Sequence, residues 1–101
     1  MRRRSVVYSA TARDDLLKIL RWIAEHASPI AALTSVEDIE NFIETLDIAS
    51  ERGTARDDLE PGLRIVAYSR AEIAIYVDDE TVTVARVFYG GQDWESAFRT
   101  P

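Results

Sequence analysis

Cysteine is missing altogether from this sequence. Its absence removes disulfides, thiolate nucleophiles and thiolate metal sites together, and it agrees with a reducing cytoplasm as the place of work. Long apolar runs are missing too. The basic opening Met1-Arg2-Arg3-Arg4-Ser5 is followed only by Val6, Val7 and Tyr8 before polar residues return, so no signal-peptide core is expected. Nothing approaches the length of a membrane span, so no membrane partner is expected. Positive charge is also short, with 12 basic against 18 acidic residues and a net charge of −6. A protein that binds nucleic acid through phosphates needs the opposite balance, so direct RNA or DNA binding is disfavoured.

What is present reads as one ordinary domain, 1–101. Hydrophobic residues make up 47% of the chain and charged residues 30%, which supplies enough apolar surface to offset the entropy of ordering. All basic residues except Lys18 are arginine. That bias suits forked recognition of carboxylates at an interface, and genomic base composition accounts for it equally well.

Arg4 to Ser9 predicts a short strand, and Ser9 or Thr11 can cap the helix that follows. Thr11-Ala12-Arg13-Asp14 has the spacing of a capping box. Leu16, Ile19, Leu20, Ile23 and Ala27 then recur at helical period and predict one buried stripe. Ser28-Pro29 starts a second helix almost at once, which implies an antiparallel helix hairpin. Its stripe is Ala32, Val36, Ile39, Ile43 and Leu46, with Glu37, Asp38, Glu40, Glu44 and Asp47 left to solvent, and Gly53 is the expected stop. Thr54 to Gly62 reads as a connecting loop. Leu63–Tyr68, Glu72–Val77 and Thr81–Tyr89 are rich in β-branched and aromatic residues and predict an antiparallel meander. Gly90-Gly91 ends it, and Asp93 to Phe98 can form one helical turn. The expected class is α+β: an N-terminal strand, an antiparallel helix hairpin, then a three-stranded antiparallel meander, with the helices on one face and the other face open to a partner.

Several local words, in this order, resemble a known family. Ser9-Ala10-Thr11-Ala12-Arg13-Asp14-Asp15-Leu16 is similar to the opening of the ParE branch of the RelE/ParE toxin superfamily. Glu51-Arg52-Gly53, Asp57-Asp58-Leu59 and Pro61-Gly62-Leu63-Arg64 resemble its passage from helix to sheet. Ile75-Tyr76, Val84-Ala85-Arg86-Val87-Phe88-Tyr89 and Asp93-Trp94 resemble its last strands and tail. The resemblance implies a type II toxin, bound in a hetero-oligomer by a ParD-like antitoxin and acting on DNA gyrase without being an enzyme or needing a cofactor. A RelE-like relative would instead cleave messenger RNA on the ribosome, and a third reading is an inactive homologue that only binds its antitoxin. Phe88 stands where many relatives carry a histidine, and a phenyl ring neither accepts nor donates a proton. Ser50 replaces the proline usual before the Glu-x-Gly.

Arg64 and Arg86 match basic positions that the nuclease relatives place on the sheet, with Tyr89 nearby; an anion site, and cross-strand pairing with carboxylates or a solvated surface, are both open readings. Trp22 and Leu17 lie off the main stripe of the first helix, with Ala24 beside them, and are candidates for a partner contact or a homodimer contact. Trp94 can bind a partner or lock the tail onto the core. His26, the only histidine, falls in the last turn of the first helix, where a capping or surface role is expected. Asp57-Asp58 and Asp78-Asp79-Glu80 lack the spaced ligands and glycine of a calcium loop and read as turns, so no metal site is expected.

Overall fold

In the computed structural model, residues 3–48 and 51–99 are described; Ser50 and the opening Met1-Arg2 pair lie outside them. The first strand, β1 (Ser5–Tyr8), leads into α1 (Ala10–His26). Ser9 caps that helix, its Oγ accepting the Ala12 amide at 3.0 Å. Thr11 therefore sits inside the first turn, and the expected capping box from Thr11 to Asp14 is not the cap. Ser28 caps α2 (Pro29–Glu44) in the same way, accepting from Ala31 N at 3.0 Å, with Pro29 at the position where a missing N–H costs nothing.

The second helix ends at Glu44 and tightens into a 3₁₀ turn, Thr45–Asp47, that buries Leu46. Gly53 is not its stop. It lies beyond, at φ 85°, where a Cβ would come within 2.1 Å of the Ile65 carbonyl oxygen. That close approach lets the chain lay down a two-residue strand, β2 (Thr54–Ala55), in a stretch expected to be loop. Strands β3 (Arg64–Tyr68), β4 (Ala71–Val77) and β5 (Thr81–Tyr89) form the expected meander.

The sheet is larger than that meander. Its order is β1-β5-β4-β3-β2, with β1 parallel to β5 and every other pair antiparallel. The buried stripes of both helices, Ala12, Leu16, Ile19 and Ile23 on α1 and Ala32, Val36, Ile39 and Ile43 on α2, pack on one face over Val66, Ile73, Ile75, Val82, Val84 and Val87. Ala27, expected on the first stripe, is instead the exposed C-cap residue.

One irregularity decides which way β5 aims its side chains. Ala74 pairs with Arg86 but Ile75 pairs with Val84, so Ala85 is an extra residue. A bulge reverses the alternation. Val84 and Val87 consequently share the helix face, while Phe88 packs on the opposite face with Leu63, Ile65 and Ala74. That second face, expected to be open, carries Tyr76 of β4 and is covered by the chain itself: Leu59, and Trp94 and Phe98 of a closing 3₁₀ turn (Trp94–Phe98).

Candidate functional site

Beyond Val84 the outer edge of β5 has no neighbouring strand among the described residues, because β1 pairs only as far as that residue. Side chains finish the pairing instead. Ser9 Oγ donates to the Ala85 carbonyl at 2.9 Å, Asp15 accepts the Val87 amide at 2.9 Å, and Gln92 Oε1 accepts the Tyr89 amide at 3.0 Å. Among the described residues Asp15 is the only buried charged one, at 6% exposure. Its carboxylate also takes a fork from Arg86, Nε at 2.8 Å and Nη2 at 3.1 Å. Three donors on two oxygens compensate the desolvation of the charge, so the pair is a lock between α1 and β5.

Beside this lock a cleft of about 370 Å³ opens between α1 and the end of β5. Its lining comprises Asp15, Lys18, Ile19 and Trp22 from the helix, Arg86, Val87 and Tyr89 from the strand, and Gly90 and Gln92 beyond it. Trp22 stacks on His26 with ring centroids 4.3 Å apart and meets Tyr89 edge-on at 6.3 Å. His26 Nδ1 lies 2.8 Å from the Trp22 carbonyl oxygen one turn back. Arg70 stands over the Tyr89 ring at 5.5 Å.

The six residues singled out from sequence do not form one site. Trp22, Arg86 and Tyr89 meet in this cleft. Leu17, half exposed, lies five residues before Trp22 on α1 and so points roughly 140° away around the helix. Arg64 is on β3, where alternation places it with Val66 on the helix side, and its Nη1 donates to the carbonyls of Glu51 at 3.0 Å and Gly53 at 3.3 Å. Arg86 belongs with Phe88 on the far side and reaches the β5 edge, its guanidinium 4.7 Å from the Phe88 ring centroid. Arg64 and Arg86 therefore do not converge.

Trp94 closes the second face. Arg56 stands over its ring at 5.2 Å and pairs with Glu95 at 2.6 Å and Asp58 at 2.9 Å. The two carboxylates push the Arg56 guanidinium further above its ordinary range, and the Arg56 hydrogen bonds hold Asp58 below the usual carboxylate value. Phe98 meets Phe88 edge-on at 6.1 Å, so the position where a histidine base would sit is a phenyl ring, 4% exposed, under an aromatic lid. The acidic pairs do turn chemistry: Asp57 accepts from Gly62 N at 2.9 Å, and Asp78 accepts from Glu80 N and Thr81 N at 2.9 and 2.7 Å, which lowers the Asp78 pKa.

Asp15, Lys18 and Gln92 went unnoticed in the sequence. Asp15 had a signal, since it falls three residues after Ala12 and four before Ile19, on the buried stripe itself. An acid on such a stripe demands a partner.

The comparisons with known proteins turn on this frame of helices and sheet. A family model described as the ParE toxin of the type II toxin–antitoxin system parDE matches residues 6–94. The chain belongs to that family. The match covers both helices, every strand apart from Ser5 of β1, and the first residue of the closing turn. No curated protein matches the sequence. Among solved structures, a chain of the chromosomal ParDE system of P. aeruginosa superposes with a TM-score of 0.74 at 22% identity, over 85% of this chain and 95% of that one. A chain of the RelBE2 toxin–antitoxin complex of Mycobacterium tuberculosis gives 0.60 at 21% identity, over 91% and 97%. At such identities the likeness is one of fold, and it makes this ParE family member α+β with a mostly antiparallel sheet.

Proposed function

We propose that this ParE family member is a toxin that inhibits DNA gyrase by binding rather than by chemistry, and that a ParD-like antitoxin masks it in a cytoplasmic hetero-oligomer. The observation that carries the non-enzymatic reading is the state of the three positions a ribonuclease would use. Arg64 is spent on two backbone carbonyls, Arg86 is forked onto buried Asp15, and Phe88 lies under Phe98 in place of a base. General acid–base cleavage of a phosphodiester needs a proton acceptor and cations converging on one phosphate. The net charge of −6 supports the same reading, because it repels a phosphate backbone. Trp22, Leu17, Arg86 and Tyr89 are the residues proposed to meet partners; for Arg64 and Trp94 the intramolecular contacts above account for the side chains. Among the described residues no helix is long and apolar enough to cross a membrane.

The test is a supercoiling assay with purified gyrase run beside a translation assay with intact ribosomes. Loss of supercoiling with full-length messages is the expected result, and addition of the co-encoded antitoxin should restore it. Cleaved messages with unaffected gyrase would install the ribonuclease reading. Harmless expression in growing cells would install the inactive homologue.

A further inference from the structure

The cleft between α1 and the end of β5 has an unbalanced set of polar groups. Its one carboxylate, Asp15, is saturated by two bonds from Arg86 and one from Val87 N. Its donors are not saturated. The fork to Asp15 uses Nε and Nη2 of Arg86 and leaves Nη1 over. Gln92 spends its carbonyl oxygen on Tyr89 N and keeps its amide donors. Lys18 pairs with no carboxylate among the described residues. Arg70, outside the lining, adds a further cation 5.5 Å from the centre of the Tyr89 ring. In a chain of net charge −6 this is a local excess of positive charge, and its lining is otherwise the rings of Trp22 and Tyr89 with Ile19 and Val87.

Surplus donors call for an acceptor-rich anion, and flat apolar walls call for a flat apolar body. We propose that this cleft is a binding pocket for an aromatic carboxylate, with the ring against Trp22 and Tyr89 and the carboxylate between Lys18, Arg86 Nη1 and Gln92. At about 370 Å³ the cleft is at the small end of ligand pockets and suits a group the size of one aromatic residue. A free small molecule and the C-terminal residue of a partner chain present the same chemistry. The pocket is defined by its own contacts, the Arg86 fork, the Gln92 bond and the Trp22–Tyr89 edge, and stands whether or not gyrase is the target.

The experiment is an NMR titration of the isotopically labelled full chain, following the indole N–H of Trp22 with that of Trp94, on the other face of the sheet, as internal reference. The probes are N-acetyl-L-phenylalanine, its carboxamide, and a short peptide ending in phenylalanine, as the free acid and amidated. Saturable shifts at Trp22, Tyr89 and Gln92 are expected with both free acids, with the amides roughly tenfold weaker, the ratio one charge-assisted hydrogen bond supplies. Lys18→Met, at an exposed helix position, should weaken the acid several-fold and leave the amide unchanged. A peptide acid tighter than the single residue identifies a chain terminus as the natural occupant, and the reverse order identifies a free metabolite; both support the pocket. Equal affinity of acid and amide, no saturation by any probe, an unchanged acid affinity in Lys18→Met, or shifts as large at Trp94 would each overturn it.

Discussion

On the helix side of the sheet, Ile73, Ile75, Val82, Val84 and Val87 lie at 2% exposure or less beneath two amphipathic helices. On the other side, Leu63, Ile65, Ala74 and Phe88 lie beneath a loop and a 3₁₀ turn of five residues that has no fully buried residue of its own. The first face is closed by aliphatic side chains of the two helices and of Leu46 in the turn after α2, the second by a few side chains that include Trp94, over which Arg56 stands. Burial per residue is therefore similar on both faces while the covering layer is not. The larger share of the stability is therefore expected from the helix side, and the tail side covers Leu63, Ile65, Ala74 and Phe88 with a thinner layer.

Substitutions can break this comparison. Ile73→Ala, at 0% exposure in the larger core, should cost about 3 kcal/mol or more by the usual sum of transfer and cavity terms, read from chemical denaturation. Asp15→Ala removes three hydrogen bonds at once and leaves Arg86 and the Val87 amide without their acceptor; about 2–3 kcal/mol is expected. Asp15→Asn, which keeps an acceptor but not the charge, should recover part of that loss. Phe98→Ala, half-buried in the tail, should cost only about 1–2 kcal/mol. A Phe98→Ala loss equal to that of Ile73→Ala would erase the distinction between the faces.

The smallest effect concerns alkali, and it samples both sides. Burial, then Glu44 and Glu40, push Tyr8 up to about 12 from 10.0 on the helix side. Burial and a hydrogen bond to Glu60 do the same to Tyr76 on the tail side, also to about 12. A folded-state pKa above the unfolded one favours the neutral phenol in the fold, so this contribution is intact below pH 10 and is lost as pH rises toward 12. Stability measured across that window should fall, less steeply in Tyr8→Phe, and tyrosinate absorbance should titrate late. A wild-type curve flat over the window would remove both tyrosines from the account.

Much of the architecture was legible in the residues, and the failures have physical causes. The helical period named Ala32, Val36, Ile39 and Ile43 on α2 and Leu46 in the turn after it, all of them buried. The three strands of the meander were marked by β-branched runs and by turns. Pairing between remote segments left no such trace: nothing local says that β1 adds parallel to β5, nor that Thr54 and Ala55 pair with β3. The bulge at Ala85 was equally silent, and it is what separates Phe88 from Val87. Arg64 and Arg86 looked like one constellation with nearby Tyr89 because the two arginines match family positions, whereas alternation along each strand sends Arg64 and Arg86 to different sides. The tail was legible as a helical turn but not as a cover, since coverage is a property of Leu59, Trp94 and Phe98 together.

Plasmid topology in cells tests the central claim most directly. Plasmid DNA isolated after a pulse of expression should be relaxed or broken while total messenger RNA stays full-length, and co-expression of the neighbouring antitoxin should return the DNA to its supercoiled form. Normally supercoiled plasmid in growth-arrested cells whose messages are cut would contradict the account.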